Sequence, residues 1–402
     1  MSKFVGKAHN NMSKFLNIVN KTLLFKRGVI KCNKIIDVGG NTMKTLKKTL
    51  AVLISVMMIF GSFAVISFAA EETVTAKFLS FNVAGLPDFK ALLGQSEKDV
   101  PANETEIGKM IEENGYDIVA VQEDFGYHSN LVEGMKSYNY QTKHSGSIPG
   151  GDGLNVYTKN AKIYDASRIP WNVCFGDIAE GDTLTPKGII YTVIELGNGI
   201  YVDFYDLHAD AFDGDGSALA RADQYKQLIE LVNKNSADRP VIITGDFNTS
   251  LHITNSGNNA ADERAMLEVI KEEGGFKDAW IELKNGGDYQ NFSSWYATGV
   301  SYWGNWDSVE KFYYRDGGGV EITANDFEYK AFLDADGQNL SDHNAAVCTF
   351  TFTKTVNFTE DTREHKVNNP SDFSIFLNTL KWIIKDLSYV FSNFDQIIAL
   401  IK

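Results

Sequence analysis

Cysteine is scarce in this chain, at three in 402 residues, which excludes a fold stapled by several disulfides. In the body of the chain only Cys174 and Cys348 are present, so one bridge is the most it allows. Cys348 sits in the apolar run AAVCTFTF, the setting of a buried thiol. Positive charge is also scarce. Lys and Arg number 38 against 52 Asp and Glu, a net of −14, whereas non-specific nucleic-acid binding rests on a surplus of Lys and Arg. The balance disfavours duplex DNA as a ligand without excluding it, because a bound divalent metal and a local basic patch reverse the field near a site. Internal repeats and low-complexity blocks are absent, which removes repeat arrays from consideration.

Long apolar runs are nearly absent as well. The exception follows Met43, where MKTLKKTL precedes AVLISVMMIFGSFAVISFAA. A basic start, an apolar stretch and the small-residue end Ser67-Phe68-Ala69 read as a secretory signal over residues 43–69, with an uncleaved anchor as the alternative. Residues 1–42 are basic and rich in Asn and Lys, and read as a disordered leader or an extension from a misplaced start. Without residues 1–69 the chain keeps 27 basic and 51 acidic residues, a net of −24. The expected destination is extracellular.

From residue 70 onward, strand-like and helix-like segments alternate. Residues 77–81, 118–121, 153–158, 188–196, 200–207, 241–244, 309–314 and 345–352 are rich in β-branched and aromatic side chains. Helical spacing runs through 103–114, 217–233 and 260–273. The mixture predicts one α/β domain over residues 70–357, with two packed sheets and outer helices. A polar linker, 358–372, precedes residues 373–402, in which Phe373, Phe376, Leu377, Leu380, Ile383, Ile384 and Leu387 begin a series at helical spacing. That tail predicts an amphipathic helix that lies in a membrane interface, self-associates or docks on the domain.

Polar residues cluster at the ends of the strand-like runs: Asn82 in FLSFN, Glu123 in IVAVQE, His208 in YDLHAD, Asp246 and Asn248 in VIITGDFN, Glu310 in SVEKFYY, and Asp342 and His343 in SDH. Strand ends of one sheet point several side chains into a common crevice. Carboxylates, amides and two histidines together are the equipment of metal-assisted phosphoester hydrolysis. Any one of them alone reads equally well as a turn former or a solvated polar group.

The order of Asn82, Glu123, His208, the GDFN block and the closing SDH resembles the endonuclease/exonuclease/phosphatase superfamily, over residues 73 to 353. The resemblance implies a four-layer α/β sandwich and a hard divalent cofactor, Mg²⁺ or else Mn²⁺ or Ca²⁺. Glu123 is then the expected metal ligand with Asn82 beside it. Asp246 orients and deprotonates the attacking water, and Asn248 holds that water or a phosphoryl oxygen. His208 and His343 donate to the phosphoryl oxygens. Asp342 helps position the metal or the phosphate. Members usually carry an Asp on the penultimate strand to orient the last histidine. Here the flanks Val309 and Phe312 favour Glu310 over Asp307 for that role.

The resemblance leaves the substrate open among lipid, nucleic acid and small phosphates. Three features tilt the reading towards a phospholipid such as sphingomyelin. Asp182 and Lys187 in GDTLTPKG are similar to the Asp-Lys segment of neutral sphingomyelinases, although the same spacing also fits a turn with solvated charges. Tyr289 to Trp306 is rich in aromatics, including Trp295 and Trp303, which suit a membrane interface or a quaternary ammonium and equally a core. The third feature is the apolar tail. A deoxyribonuclease-like endonuclease and a non-catalytic binding module with an adhesive tail are the alternatives.

Overall fold

The computed structural model describes residues 72–86, 99–147, 151–175, 185, 187–211, 215–251, 267–290 and 307–367, with scattered positions between 371 and 384. The expected leader and signal, Asp182, Trp295, Trp303 and most of the tail helix lie outside these residues.

In chain order the elements are β1 (Thr73–Asn82), α1 (Val100–Asn114), β2 (Ile118–Gln122), α2 (His128–Gly134), β3 (Tyr140–Gln141), β4 (Asn155–Thr158), β5 (Lys162–Pro170) and β6 (Gly188–Gly197). They continue with β7 (Ile200–His208), α3 (Asp215–Asn235), β8 (Val241–Asp246), β9 (Lys277–Asp278), α4 (Ala279–Lys284), β10 (Glu310–Arg315), β11 (Val320–Lys330) and β12 (Ala345–Lys354). Among the described residues, twelve strands form two six-stranded sheets, ordered β11-β12-β1-β2-β4-β3 and β5-β6-β7-β8-β10-β9. Each sheet is mixed, with one parallel pair among antiparallel neighbours: β1 with β2 in the first, β7 with β8 in the second.

Period-two alternation explains the layers. Along β1, Phe78 points between the sheets, its ring 6.1 Å from Phe204, 6.3 Å from Phe312 and 5.5 Å from Phe350. Leu79 and Phe81 point the other way, into a second cluster with Ile107 and Ile111 of α1 and Leu131 of α2. A central strand covered on both faces has no polar side to spare, which is why this run is nearly continuous in apolar residues. On the second sheet, the Tyr205 hydroxyl meets Ser236 at 2.7 Å, and Tyr225 of α3 donates to the Phe247 carbonyl. The result is helix, sheet, sheet, helix.

Helix α1 starts and stops on local signals. The Asp99 side chain accepts from the Ala102 amide, Pro101 occupies the first turn, and Gly115 closes the helix at φ 69°. Strands β5 and β11, which the sequence reading does not anticipate, each carry an irregularity, at 164/167 and 324/326. A bulge breaks the alternation by which a strand is recognised. Within the stretch expected to be a linker, residues 361–366 are tied to the second sheet. Arg363 reaches Asp203 at 2.6 Å, Asp361 meets Arg239 at 2.8 Å, and His365 meets Asp165 at 2.9 Å.

Candidate active site

The two parallel pairs bring their carboxyl ends to one end of the sandwich. Asn82 ends β1 and Glu123 follows β2, whose registers place Asn82 opposite Gln122. In the second sheet His208 lies opposite Asp246. Strand β10 runs antiparallel to β8 and begins there, with Glu310 opposite Asp246. The turn entering β12 supplies Asp342 and His343. Lys187 precedes Gly188, which is paired with His208.

Asn82 is the hub. Its amide nitrogen donates to Glu123 Oε1 at 3.1 Å and to Asp246 Oδ2 at 3.0 Å, and lies 3.4 Å from His343 Nε2. Its oxygen accepts from the Ala84 amide, and its own carbonyl accepts from the Ser341 hydroxyl at 2.7 Å. Asp246 Oδ1 accepts from the Asn248 amide at 2.8 Å, while the Asn248 side chain donates to the Ala209 carbonyl. His208 Nε2 lies 3.4 Å from Asp246 Oδ2. Of the two carboxylates weighed for His343, the one in contact is Glu310, whose Oε1 meets His343 Nδ1. The Ser308 hydroxyl holds the other Glu310 oxygen. Asp307 is engaged elsewhere, by Lys311 at 2.7 Å, by the Leu251 amide and by the Tyr329 hydroxyl.

Backbone strain gathers here. Glu123 and Asn248 both adopt left-handed conformations, at φ 61° and 49°, which cost non-glycine residues free energy and persist only where the surroundings over-determine them. Gly245, at φ 134°, precedes Asp246, and a Cβ there would stand 2.0 Å from the Leu207 carbonyl. Only glycine lets β8 approach β7 this closely.

The electrostatics separate the groups by protonation state. Burial, followed by the nearby Asp342 carboxylate, pushes Glu123 up from 4.5 to about 7, against the opposing pull of His343, Asn82 and Lys187. Burial also acts to raise Asp246, but His208, His343 and the donors Asn82 and Asn248 outweigh it and hold the group below its ordinary value. His208 is driven down to about 3, by burial first and then by Lys187. For His343, burial opposes protonation, yet Glu310 and Asp246 raise it well above the usual histidine range. At neutral pH, Asp246 is therefore ionised, His208 neutral and His343 an imidazolium.

The remaining candidates sort by position. Lys187 is buried, and its charge acts on both Glu123 and His208. Asp342 is exposed at the rim. Asp210, just beyond His208, accepts from the Phe175 amide at 2.8 Å and so ties the segment after β7 to the one after β5. Ser341, passed over in the SDH block, ties the His343 turn to β1 by accepting the His343 amide and donating to the Asn82 carbonyl. The signal for it was the block itself.

A hard divalent cation fits this end of the sandwich. Glu123 is a partly buried carboxylate made costly to ionise by burial and by Asp342, and a cation relieves both effects. Asp246, Glu310 and His343 also place one donor atom each within 4.8 Å of one another, but Glu310 is already committed to His343. As placed, Asn82 turns its nitrogen towards the carboxylates, so it positions Glu123.

A single mixed-sheet sandwich with these strand-end residues defines a class, and sequence comparison gives it its family. The profile of the Endonuclease/Exonuclease/phosphatase family matches residues 79–319, and the chain belongs to that family. Sphingomyelinases of Mycobacterium bovis and Mycobacterium tuberculosis are 30% identical to it over 291 residues, 69% of this chain and 54% of theirs. The chain thus spans about half the length of these curated relatives. Among solved structures, an endonuclease/exonuclease/phosphatase family protein from Bacteroides thetaiotaomicron superposes with a TM-score of 0.50 at 14% identity, covering 70% of this chain and 98% of the other. Sphingomyelinase C from Streptomyces griseocarneus gives 0.48 at 18% identity, over 68% and 99%.

Proposed function

We propose that the protein is a divalent-metal-dependent phosphodiesterase that hydrolyses a sphingomyelin-like phospholipid by attack of water at phosphorus. The observation that carries the hydrolytic reading is the contact of His343 with Glu310 beside the Asn82–Glu123–Asp246 cluster. A cation held by Glu123, with Asn82 beside it, supplies positive charge to the phosphoryl oxygens when bound. Asp246, ionised and fixed through both oxygens, takes the proton of the attacking water. His343, charged and oriented by Glu310, donates to the phosphoryl group or the departing alkoxide as the ester P–O bond breaks. Neutral His208 and Asn248 orient the water and the phosphate from the second sheet. Groups whose environments push their pKa values apart divide the acid and base roles in this way.

The 30% identity to mycobacterial sphingomyelinases supports the lipid; Lys187, buried and acting by its charge on Glu123 and His208, is the side chain assigned to neutralise a phosphate oxygen in this reading. The expected secretory signal and apolar tail fit a lipid-facing enzyme outside the cell. Among the described residues no helix is long and apolar enough to cross a membrane. The test is Mg²⁺-dependent release of phosphocholine from sphingomyelin liposomes, run beside cleavage of duplex DNA, with His343→Ala as the blank. Phosphocholine release without DNA cleavage is expected. DNA cleavage alone would replace the lipid reading with a nuclease, and loss of neither activity in His343→Ala would remove the catalytic reading altogether.

A further inference from the structure

On the far side of Glu123 lies a second cluster, which the hydrolytic reading does not use. Asp124, next in the chain, is 1% exposed. Its Oδ2 accepts from His128 Nδ1 at 2.8 Å, Asn155 Nδ2 at 2.8 Å and the Tyr157 hydroxyl at 2.6 Å. His144 Nε2 lies 2.9 Å from the Asp124 carbonyl oxygen. The two imidazoles stack, with ring centres 4.1 Å apart and planes 15° apart. Asp124, His128 and His144 place one donor atom each within 4.8 Å of one another.

A purely structural network accounts for Oδ2 but not for what surrounds it. Asp124 Oδ1 is buried without a hydrogen-bond partner, and so are both carboxylate oxygens of Glu104 on α1, itself 1% exposed. Burial first, and then the charges of Asp124 and Glu123, push the Glu104 carboxyl well above its ordinary value. Glu104 lies directly behind the Glu123 backbone, since a Cβ on Gly85 would stand 2.6 Å from Glu104 Oε1 and 2.5 Å from the Glu123 carbonyl. Arg168 donates instead to Asp152, to the Leu154 and Lys143 carbonyls and to Asn155. Buried carboxyl oxygens without donors are unusual in a folded protein, and a cation held at Asp124 satisfies its Oδ1. Imidazole nitrogens ligate a metal in the neutral form.

We propose that Asp124, His128 and His144 form a second metal centre, for a borderline transition-metal dication such as Zn²⁺, with Glu104 balancing its charge. Two imidazoles and a carboxylate suit Zn²⁺, whereas the oxygen donors at Glu123 suit Mg²⁺, so the two centres select different ions. A metal on Asp124 also fixes the strained backbone of Glu123 beside it, so occupancy of the second centre sets the geometry of the first.

The full chain, stripped with chelator and kept in saturating Mg²⁺, is titrated with Co²⁺ while visible ligand-field bands are recorded. Wild type, Glu123→Gln and His343→Ala are expected to bind one Co²⁺ with the same bands, and His128→Asn and His144→Asn to bind at least tenfold more weakly. Bands that persist in both histidine variants and vanish in Glu123→Gln would overturn the proposal, as would no binding under excess Mg²⁺. Should a histidine variant fail to fold, X-ray absorption at the Zn edge of the wild-type protein decides. Scattering from two imidazoles is expected, and a shell of oxygens alone would overturn the assignment.

Discussion

Replacing Glu123 with Gln should make the metal-free protein more stable while removing its response to Mg²⁺. The Glu123 carboxyl is raised from 4.5 to about 7 by burial and by Asp342. The folded state therefore holds a proton that the unfolded state has released, and stability falls as pH rises from about 4.5 to about 7. A gap of roughly 2.5 units at about 1.36 kcal/mol each is about 3 kcal/mol, an upper bound because the carboxylate keeps some exposure. Glu123→Gln keeps the shape and the acceptor for Asn82 without the charge. At pH 8 it should gain up to about 3 kcal/mol in urea unfolding, a gain that shrinks towards zero near pH 4.5. Mg²⁺ at a hundred times its Kd should stabilise wild type by about 2.7 kcal/mol and the variant not at all. A variant less stable than wild type at pH 8, or one still stabilised by Mg²⁺, would refute the reasoning.

His343→Ala should lower kcat by about 10³-fold or more on a soluble phosphodiester, within the range for loss of a positioned proton donor, and unchanged turnover would remove His343 from the chemistry. Glu310→Gln should shift the basic limb of the pH–rate profile downward, because the carboxylate that holds the His343 proton is gone; a profile identical to wild type would show that the contact does not tune the imidazole. Gly245→Ala should cost about 3 kcal/mol or more, since its Cβ meets the Leu207 carbonyl at 2.0 Å and its φ is 134°. A stability within about 1 kcal/mol of wild type would mean that β8 has room to shift.

Long central strands were legible because their apolar runs are buried on both faces, as in β1, β2, β7 and β8. Helices α1 and α3 were legible from their spacing. Helices α2 and α4 span seven and six residues, too few turns for a periodic signal to emerge. Strand β11 alternates cleanly through Val320, Ile322 and Ala324, but the irregularity before Asp326 then swaps its faces. The site was legible as a set of strand-end polar residues in family order. Distances were not: Glu310 and Asp307 are both buried, and only the β8–β10 register, which puts Glu310 opposite Asp246, brings one of them to His343. The Asp124–His128–His144 cluster escaped sequence reading because stacking across a loop leaves no periodic trace.

The site draws Asn82, Glu123 and His343 from one sheet and His208, Asp246 and Glu310 from the other, so its geometry depends on the sheets not sliding. Just behind it, Gln122 of β2 donates to Asp206 Oδ1 of β7 at 2.6 Å, across the interior between the sheets. Both groups are fully buried, and the Gln122 Oε1 and Asp206 Oδ2 oxygens lack partners. Burial raises the Asp206 carboxyl well above its ordinary value despite the Gln122 hydrogen bond, and so favours the neutral acid. A neutral polar link in a core is exchanged for an apolar pair at little cost, while removing one partner strands the other. Asp206→Asn should therefore stay within about 1 kcal/mol of wild type, whereas Asp206→Ala should lose about 1–3 kcal/mol by leaving unsatisfied the Gln122 N–H that does not go to Ser80. If the link fixes the sheets, Asp206→Ala should also lower kcat with Mg²⁺ saturating, because His343 and Asp246 lose their mutual placement. A loss above about 2 kcal/mol in Asp206→Asn would show that the carboxyl is ionised in the fold, and full kcat in Asp206→Ala would show that the sheets hold their alignment without the link.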